Sequence, residues 1–265
     1  MVVSQNSHWG TEIERILLLK TSPIAVKMLQ KEKDIPKGAF RPLKDEGIHI
    51  AQCQAFALSR RQRMTVAMLK EDNWCPAPIS AYGMVTPRED YPGFPHVIED
   101  RKAAERLAQT SPEFDYGKYI GIVSAPLKMA DFEPDVLIIF SNVTQLRNIL
   151  YAVKYKEGCL VNTVLDPLRS CVFSIVPVIQ TGECRVTVPD PGEYLRTMCG
   201  DDEIIFSAPG DKVAGLVYGL QHFSDLKQGY VDLCFDMRPD FHQPEHYRKM
   251  FEKWGLSSGK RSEMI

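Results

Sequence analysis

The chain lacks most of the short motifs that announce a chemistry. Neither GxxxxGK[ST] nor a GxGxxG turn after a strand occurs in its 265 residues, so phosphate cradling of the P-loop or dinucleotide type has no support. HExxH and GxSxG are missing too, which removes the helical zinc-protease signature and the serine nucleophile elbow. No excess of either charge exists: Lys+Arg 32 against Asp+Glu 34 leaves a formal net charge of −2. A general nucleic-acid binder needs a basic face for phosphates, and this balance argues against one. Long apolar runs are absent; stretches such as Val136–Phe140 fall far short of the roughly 20 residues of a bilayer span. The opening MVVSQNSHWGTEIER has no charged region followed by an apolar run, so no signal peptide is expected and the expected compartment is the cytoplasm. No internal repeat or low-complexity linker breaks the chain.

What remains is an ordinary globular composition, 44% hydrophobic and 25% charged, with apolar runs of two periods. Strands are predicted at Pro23–Leu29, Thr65–Leu69, Tyr119–Ser124, Val136–Phe140, Cys184–Val188 and Asp202–Ser207. In Val136–Phe140 the apolar residues are consecutive, which predicts a strand buried on both faces. Helices are predicted from Thr11 to Lys20 behind a Thr11/Glu14 capping box, over Ile50–Arg61, over Val97–Gln109, from Asn142 to Tyr155, and over Lys212–Phe223. Cys75 precedes Pro76, a favoured first helical position, and so is predicted just before a helix start. Lys31–Gly47 and Pro189–Gly200 are predicted as loops. The fold class expected is α+β: one domain over residues 1–238 with a mixed sheet packed by helices, then a tail, 239–265, with a short helix near His246–Trp254. Gly215 and Gly219 have GxxxG spacing and are expected to serve close helix packing. His242 and His246 stand i, i+4, but Pro244 lies between them, and they are expected to be an exposed pair that binds nothing.

Seven cysteines stand out, at 53, 75, 159, 171, 184, 199 and 234. No CxxC pair occurs among them, and an odd number cannot all pair within one chain, so metal binding or catalysis is the better reading for any special one. Cys159, Cys184 and Cys234 sit in apolar or strand contexts and are expected to be small core residues. Cys53 lies near a helix start and Cys75 just before one; unpaired N–H groups there favour a thiolate. Cys171 is expected at a strand start. Cys199 precedes Gly200, which can take positive φ and let backbone approach a ligand. Four thiolates are what an iron–sulfur cluster or a structural zinc requires.

The chain resembles an uncharacterised bacterial and archaeal family, domain of unknown function 169. The matching pieces are Pro23-Ile24-Ala25-Val26-Lys27, Cys53-Gln54-Ala55-Phe56-Ala57, Cys75-Pro76-Ala77 with Tyr82-Gly83, Tyr119-Ile120 with Ser124-Ala125-Pro126-Leu127, and Pro134-Asp135-Val136 with Asn142 and Gln145. Cys171, Cys199-Gly200 and Asp202-Glu203 with Pro209 complete the pattern. The resemblance implies special roles for the same four cysteines and does not emphasise the other three. Many relatives carry Cys-Gly-x-Arg near the last cysteine, whereas Asp201-Asp202 follow Gly200 here.

The expectation is therefore a cytoplasmic metalloprotein. Cys53, Cys75, Cys171 and Cys199 would hold a [4Fe–4S] cluster, with zinc as the alternative metal. The cluster would serve electron transfer with a protein partner, or Lewis-acid chemistry on a small-molecule substrate. Asp202 and Glu203 are the candidate proton-transfer or hydrogen-bonding groups beside it. The alternatives are a metal-free hydrolase or lyase with Cys75 as nucleophile, and a non-catalytic small-molecule-binding protein. No nucleic acid or membrane partner is expected.

Overall fold

Six apolar runs become strands: β1 (Ile24–Leu29), β2 (Val66–Leu69), β3 (Gly121–Pro126), β4 (Val136–Ser141), β5 (Arg185–Thr187) and β6 (Ile204–Pro209). They make one sheet in the order β2-β3-β1-β4-β6-β5, and every ladder in it is antiparallel. Parallel pairing is confined to the isolated bridges Phe40–Val66 and Ile50–Asn73. This is a computed structural model that describes residues 2–86, 98–226 and 245–256. The chain divides into two compact units, residues 1–230 and 231–265.

The helices of the first unit are α1 (Val2–Leu17), α2 (Pro42–Glu46), α3 (Gln52–Gln62), α4 (Pro76–Ala81), α5 (Arg101–Thr110), α6 (Val143–Glu157), α7 (Ser170–Phe173), α8 (Val176–Thr181), α9 (Pro191–Thr197) and α10 (Val213–Asp225). The second unit contains α11 (Glu245–Lys253), close to the predicted tail helix. With helices on both faces of an antiparallel sheet, the fold is α+β. Among the described residues no helix is long and apolar enough to cross a membrane.

Each strand feeds both faces. On one side Ala25, Leu137, Ile139 and Phe206 pack against Ile13 and Leu17 of α1, Ile149 of α6 and Leu216 of α10. On the other, Val26, Ile138, Phe140 and Ile205 pack against Phe56 of α3, Cys171 and Val172 of α7, and Val176 of α8. This two-sided cover explains why all six residues of β4 are buried: helices cover both faces, so an antiparallel strand loses its polar alternation. Helix α6 starts as predicted. Asn142 Oδ1 accepts the Gln145 N–H and Gln145 Oε1 accepts the Asn142 N–H, both at 2.8 Å, and Gly158 ends the helix at φ 66°. The GxxxG expectation also holds: a Cβ on Gly219 would lie 2.6 Å from the Ala152 carbonyl oxygen, so α10 meets the α6 backbone closely.

Several predicted elements are corrected. Helix α1 begins at Val2, and Thr11 is internal to it, its hydroxyl donating to the Ser7 carbonyl at 2.8 Å. Tertiary contacts carry the weakly patterned first turns: the buried Asn6 amide donates to the carbonyls of Ala130 and Phe132 at 3.0 and 2.9 Å. Cys171 opens no strand; the apolar stretch around it folds into the short helices α7 and α8. Helix α5 starts behind Asp100, whose side chain accepts the Ala103 N–H, and Val97 lies outside the described residues. The predicted loops each contain helix, α2 in one and α9 in the other.

Candidate functional site

Of the four singled-out thiols, Cys53 and Cys75 both come within electrostatic reach of Cys171. Cys53 is the second residue of α3, whose start is closed by Gln54 Oε1 accepting the Ala51 N–H at 2.9 Å. Cys75 is the residue just before α4, as its Pro-Ala-Pro sequence predicts, and its own N–H donates to Asn73 Oδ1. Cys171 lies in the first turn of α7, with its carbonyl accepting the buried Tyr82 hydroxyl at 2.8 Å. The three thiols are near enough that the charges of Cys53 and Cys75 both act on Cys171.

Helix α9 organises them. Asp190 caps it: Oδ1 accepts the Glu193 N–H at 3.1 Å, while Oδ2 accepts the Ser170 N–H and hydroxyl at 3.0 and 2.8 Å. One carboxylate thus ties α9 to the start of α7. Gly192 permits close approach, since a Cβ there would lie 3.4 Å from Cys53 Sγ and 2.7 Å from Arg196 Nη1. The Arg196 guanidinium lies beside Cys53, whose thiol pKa it acts to lower, and stacks 4.7 Å from the Trp74 ring centroid. Asp190-Pro191-Gly192-Glu193 is in fact a helix-start pattern, an Asp cap followed by Pro at the first position and Glu at the third. That signal was available in the sequence beneath its turn-forming residues.

Cys199 has carboxylates among its charged neighbours. It follows the end of α9, its Sγ directed to the Gly200 carbonyl at 3.7 Å, and its neighbours are Glu203 and Glu193. The left-handed turn predicted at Gly200 falls instead on Met198, at φ 54°. Cys159 is corrected as well: it is exposed, because Gly158 ends α6 and turns the chain along the surface. Cys184 is buried beside Val186, as expected. Cys234 and His242 lie outside the described residues.

The carboxylates divide into distinct roles. Asp202 is exposed and pairs with Lys20 at 3.3 Å. Glu203 is buried against Arg60, whose Nη1 donates to Oε1 at 2.7 Å and Nη2 to Oε2 at 3.2 Å. Burial alone would raise the Glu203 carboxyl, but the Arg60 hydrogen bond and charge win and hold it down at about 2. It therefore remains ionised at neutral pH. Glu193, which sequence reasoning did not single out, is the opposite case. It is 1% exposed; burial pushes it up to about 7, against the lowering effect of the Thr197 hydroxyl bond. Among the described residues its Oε1 has no hydrogen-bond partner, and neither does either amide atom of the buried Gln52.

Cys53, Cys75, Cys171 and Cys199 are all shifted upward. Burial, reinforced by Glu193 and Asp190, pushes Cys53 up to about 12 in spite of Arg196. At Cys75 burial outweighs the Ala77 N–H that the helix start supplies. Cys171 is raised by burial, then by Asp190 and the other two thiols. Cys199 is pushed up to about 12 by burial and Glu203. The donors are of the soft kind that iron–sulfur centres and zinc take. Among the described residues, no three His, Cys, Asp or Glu side chains are grouped so as to hold a metal ion.

Comparison with known proteins places this site in a family. The model of DUF169, described as an uncharacterised ArCR family, matches residues 12–219. The chain belongs to DUF169. All four singled-out cysteines and the whole of α9 fall inside the DUF169 region, as do Arg60, Glu193 and Glu203. A curated relative, "Uncharacterized protein MJ0308" of Methanocaldococcus jannaschii, is 21% identical over 233 residues, covering 85% of this chain and 98% of its own length. No solved structure matches.

Proposed function

We propose that this DUF169 protein is a thiolate metalloprotein in which Cys53, Cys75 and Cys171 ligate a [4Fe–4S] cluster with one iron left open to a small molecule. What supports the reading is that three thiols from three separate segments, Cys53 and Cys171 buried and Cys75 half-buried, come within electrostatic reach of Cys171 beside one capped helix. Such a cluster supplies Lewis-acid or one-electron chemistry when bound. Binding a metal displaces the thiol protons that burial otherwise retains. Around the ligands, Arg196 offsets part of the negative charge that three thiolates bring, and Asp190 holds α7 and α9 in register. Glu193 supplies a carboxyl that gains and loses its proton near neutral pH, a role that the Arg60-bound Glu203 does not fit. The same upward shifts disfavour a metal-free nucleophile, because a buried protonated thiol is a poor one.

The test is iron and acid-labile sulfide in protein purified without oxygen, together with visible absorbance. Cys53→Ser, Cys75→Ser and Cys171→Ser should each lose the cluster, whereas Cys199→Ser should keep it. Loss in Cys199→Ser as well would make the site four-ligand and closed, the electron-transfer form. Protein that takes up neither iron nor sulfide after anaerobic reconstitution removes the cluster altogether, and stoichiometric zinc that survives dialysis would replace it by a structural metal.

A further inference from the structure

A second cavity, of about 440 Å³, opens on the outer side of α3, and its lining reaches the thiol site through Arg196. The volume falls in the range of roughly 300–1,000 Å³ typical of small-molecule sites. Its wall is built by helical spacing: Gln54, Ala57, Leu58 and Arg61 recur at three- and four-residue intervals, so they share one face of α3. Ile50 and Met64 extend the apolar part, and Arg196 and Met198 from the end of α9 close the far side.

The polar groups in this lining are unequal in sign. Arg61 and Arg196 face Glu46 as the sole acid among the lining residues. Arg61 is only partly engaged. Its Nη2 donates to the Met198 carbonyl at 2.7 Å and lies 3.6 Å from Glu203, while its Nε is buried with no partner. A buried guanidinium N–H without an acceptor is costly, and an acceptor from a ligand would relieve it. Gln54 spends its Oε1 on the helix start, which leaves its amide nitrogen as a further donor. Two guanidinium groups, one amide donor and an apolar wall together suit a ligand with an anionic head and a short apolar body.

We propose that this cavity binds a small organic carboxylate, its head taken by Arg61 and Arg196 and its apolar body lying along Leu58, Ile50 and Met64. Because Arg196 Nη1 and Cys53 Sγ both border Gly192, the carboxylate head sits at the edge of the thiol site. The assignment concerns binding alone and does not depend on whether the thiols carry iron.

Phenylacetate is the probe, followed by backbone amide NMR shifts of the full-length, metal-free protein. Saturable shifts along α3 are expected, with a Kd on the order of 1 mM or tighter for a ligand of this size. Phenethylamine, which has a similar body and the opposite charge, should leave those amides unmoved. Arg196→Gln, at an exposed position, should weaken phenylacetate about tenfold or more, as expected for losing a charge-assisted bond. Ala57→Phe fills the cavity and should abolish binding. The proposal is overturned if phenylacetate does not bind at millimolar concentration, if the amine binds equally well, or if Arg196→Gln leaves the affinity unchanged. Iron and sulfide content is read separately, so failure here and failure of the cluster assignment are distinct results.

Discussion

The two faces of the sheet are built to different rules. The layer of α1, α6 and α10 contains no buried Asp, Glu or Arg among the described residues; its buried polar groups include the amides Asn6, Gln145 and Asn148. The opposite layer buries Arg60, Glu203, Glu193, Asp190, Arg169 and Asp166, together with Cys53, Cys171 and Cys199. Desolvating ions is expensive, so a fold pays for it only where each ion is paired or the group has another use. Arg60 is paired with Glu203 and also lies 3.8 Å from the Phe140 ring centroid. Arg169 is paired with Asp166 at 2.6 Å. Among the described residues Glu193 has no cationic partner in hydrogen-bond contact. The unpaired carboxyl and Cys53, Cys171 and Cys199 distinguish the layer proposed to carry chemistry; the other layer, proposed as scaffold, buries only Cys184 among the described cysteines.

The contrast breaks most visibly at Arg60. Arg60→Ala should cost about 3–5 kcal/mol in urea unfolding, because it strands a buried Glu203 charge. Replacing both partners, Arg60→Met with Glu203→Leu, should recover most of that loss. If the single and double variants are equally unstable, the pair is not acting as a pair. In the scaffold layer Ile139→Ala should cost about 2–5 kcal/mol through lost burial and a residual cavity, and iron content per folded chain should not change. Loss of the cluster in that variant would show the layers to be coupled.

A smaller effect is expected at the α6–α10 contact. Gly219→Ala places a methyl against the backbone of Ala152 and should destabilise by about 1–3 kcal/mol, read as a lower urea midpoint. The finest test is pH dependence. The folded-state value of about 7 for Glu193 lies above its ordinary 4.5, so the folded protein holds that proton after the unfolded chain has lost it. The stability this group contributes is therefore full below about 4.5 and is lost as pH rises to about 7. Glu193→Gln should remove that decline and be the more stable form above pH 7 relative to its own acid-side value. Glu203 has the opposite sign: its contribution is full above 4.5 and is lost as pH falls toward about 2. Unfolding midpoints measured from pH 3 to 8 on wild type and Glu193→Gln separate the two.

Much of the scaffold was readable from residue order. The β4 run, the Asn142/Gln145 cap of α6, the Gly158 stop and the position of Cys75 before α4 are all local signals, and they act through contacts a few residues apart. The candidate site was readable only in part. Cys53 and Cys75 sit at helix starts as expected, but helix-start N–H groups do not decide their protonation, because burial does. Helix α9 was hidden behind Pro and Gly, and with it Glu193 and Arg196. Cys159 followed a local apolar pattern that the surface path after Gly158 overrides.

Residue order alone determined the strands, most of the long helices and which thiols flank helix starts, since hydrophobic period and capping are properties of short stretches. Which thiols meet was decided by the tertiary structure. Segments around residues 53, 75, 171 and 190 come together only because the sheet order places strands distant in sequence side by side, and no local signal encodes that order. The same arrangement buries Glu193 and sets Cys199 beside Glu203.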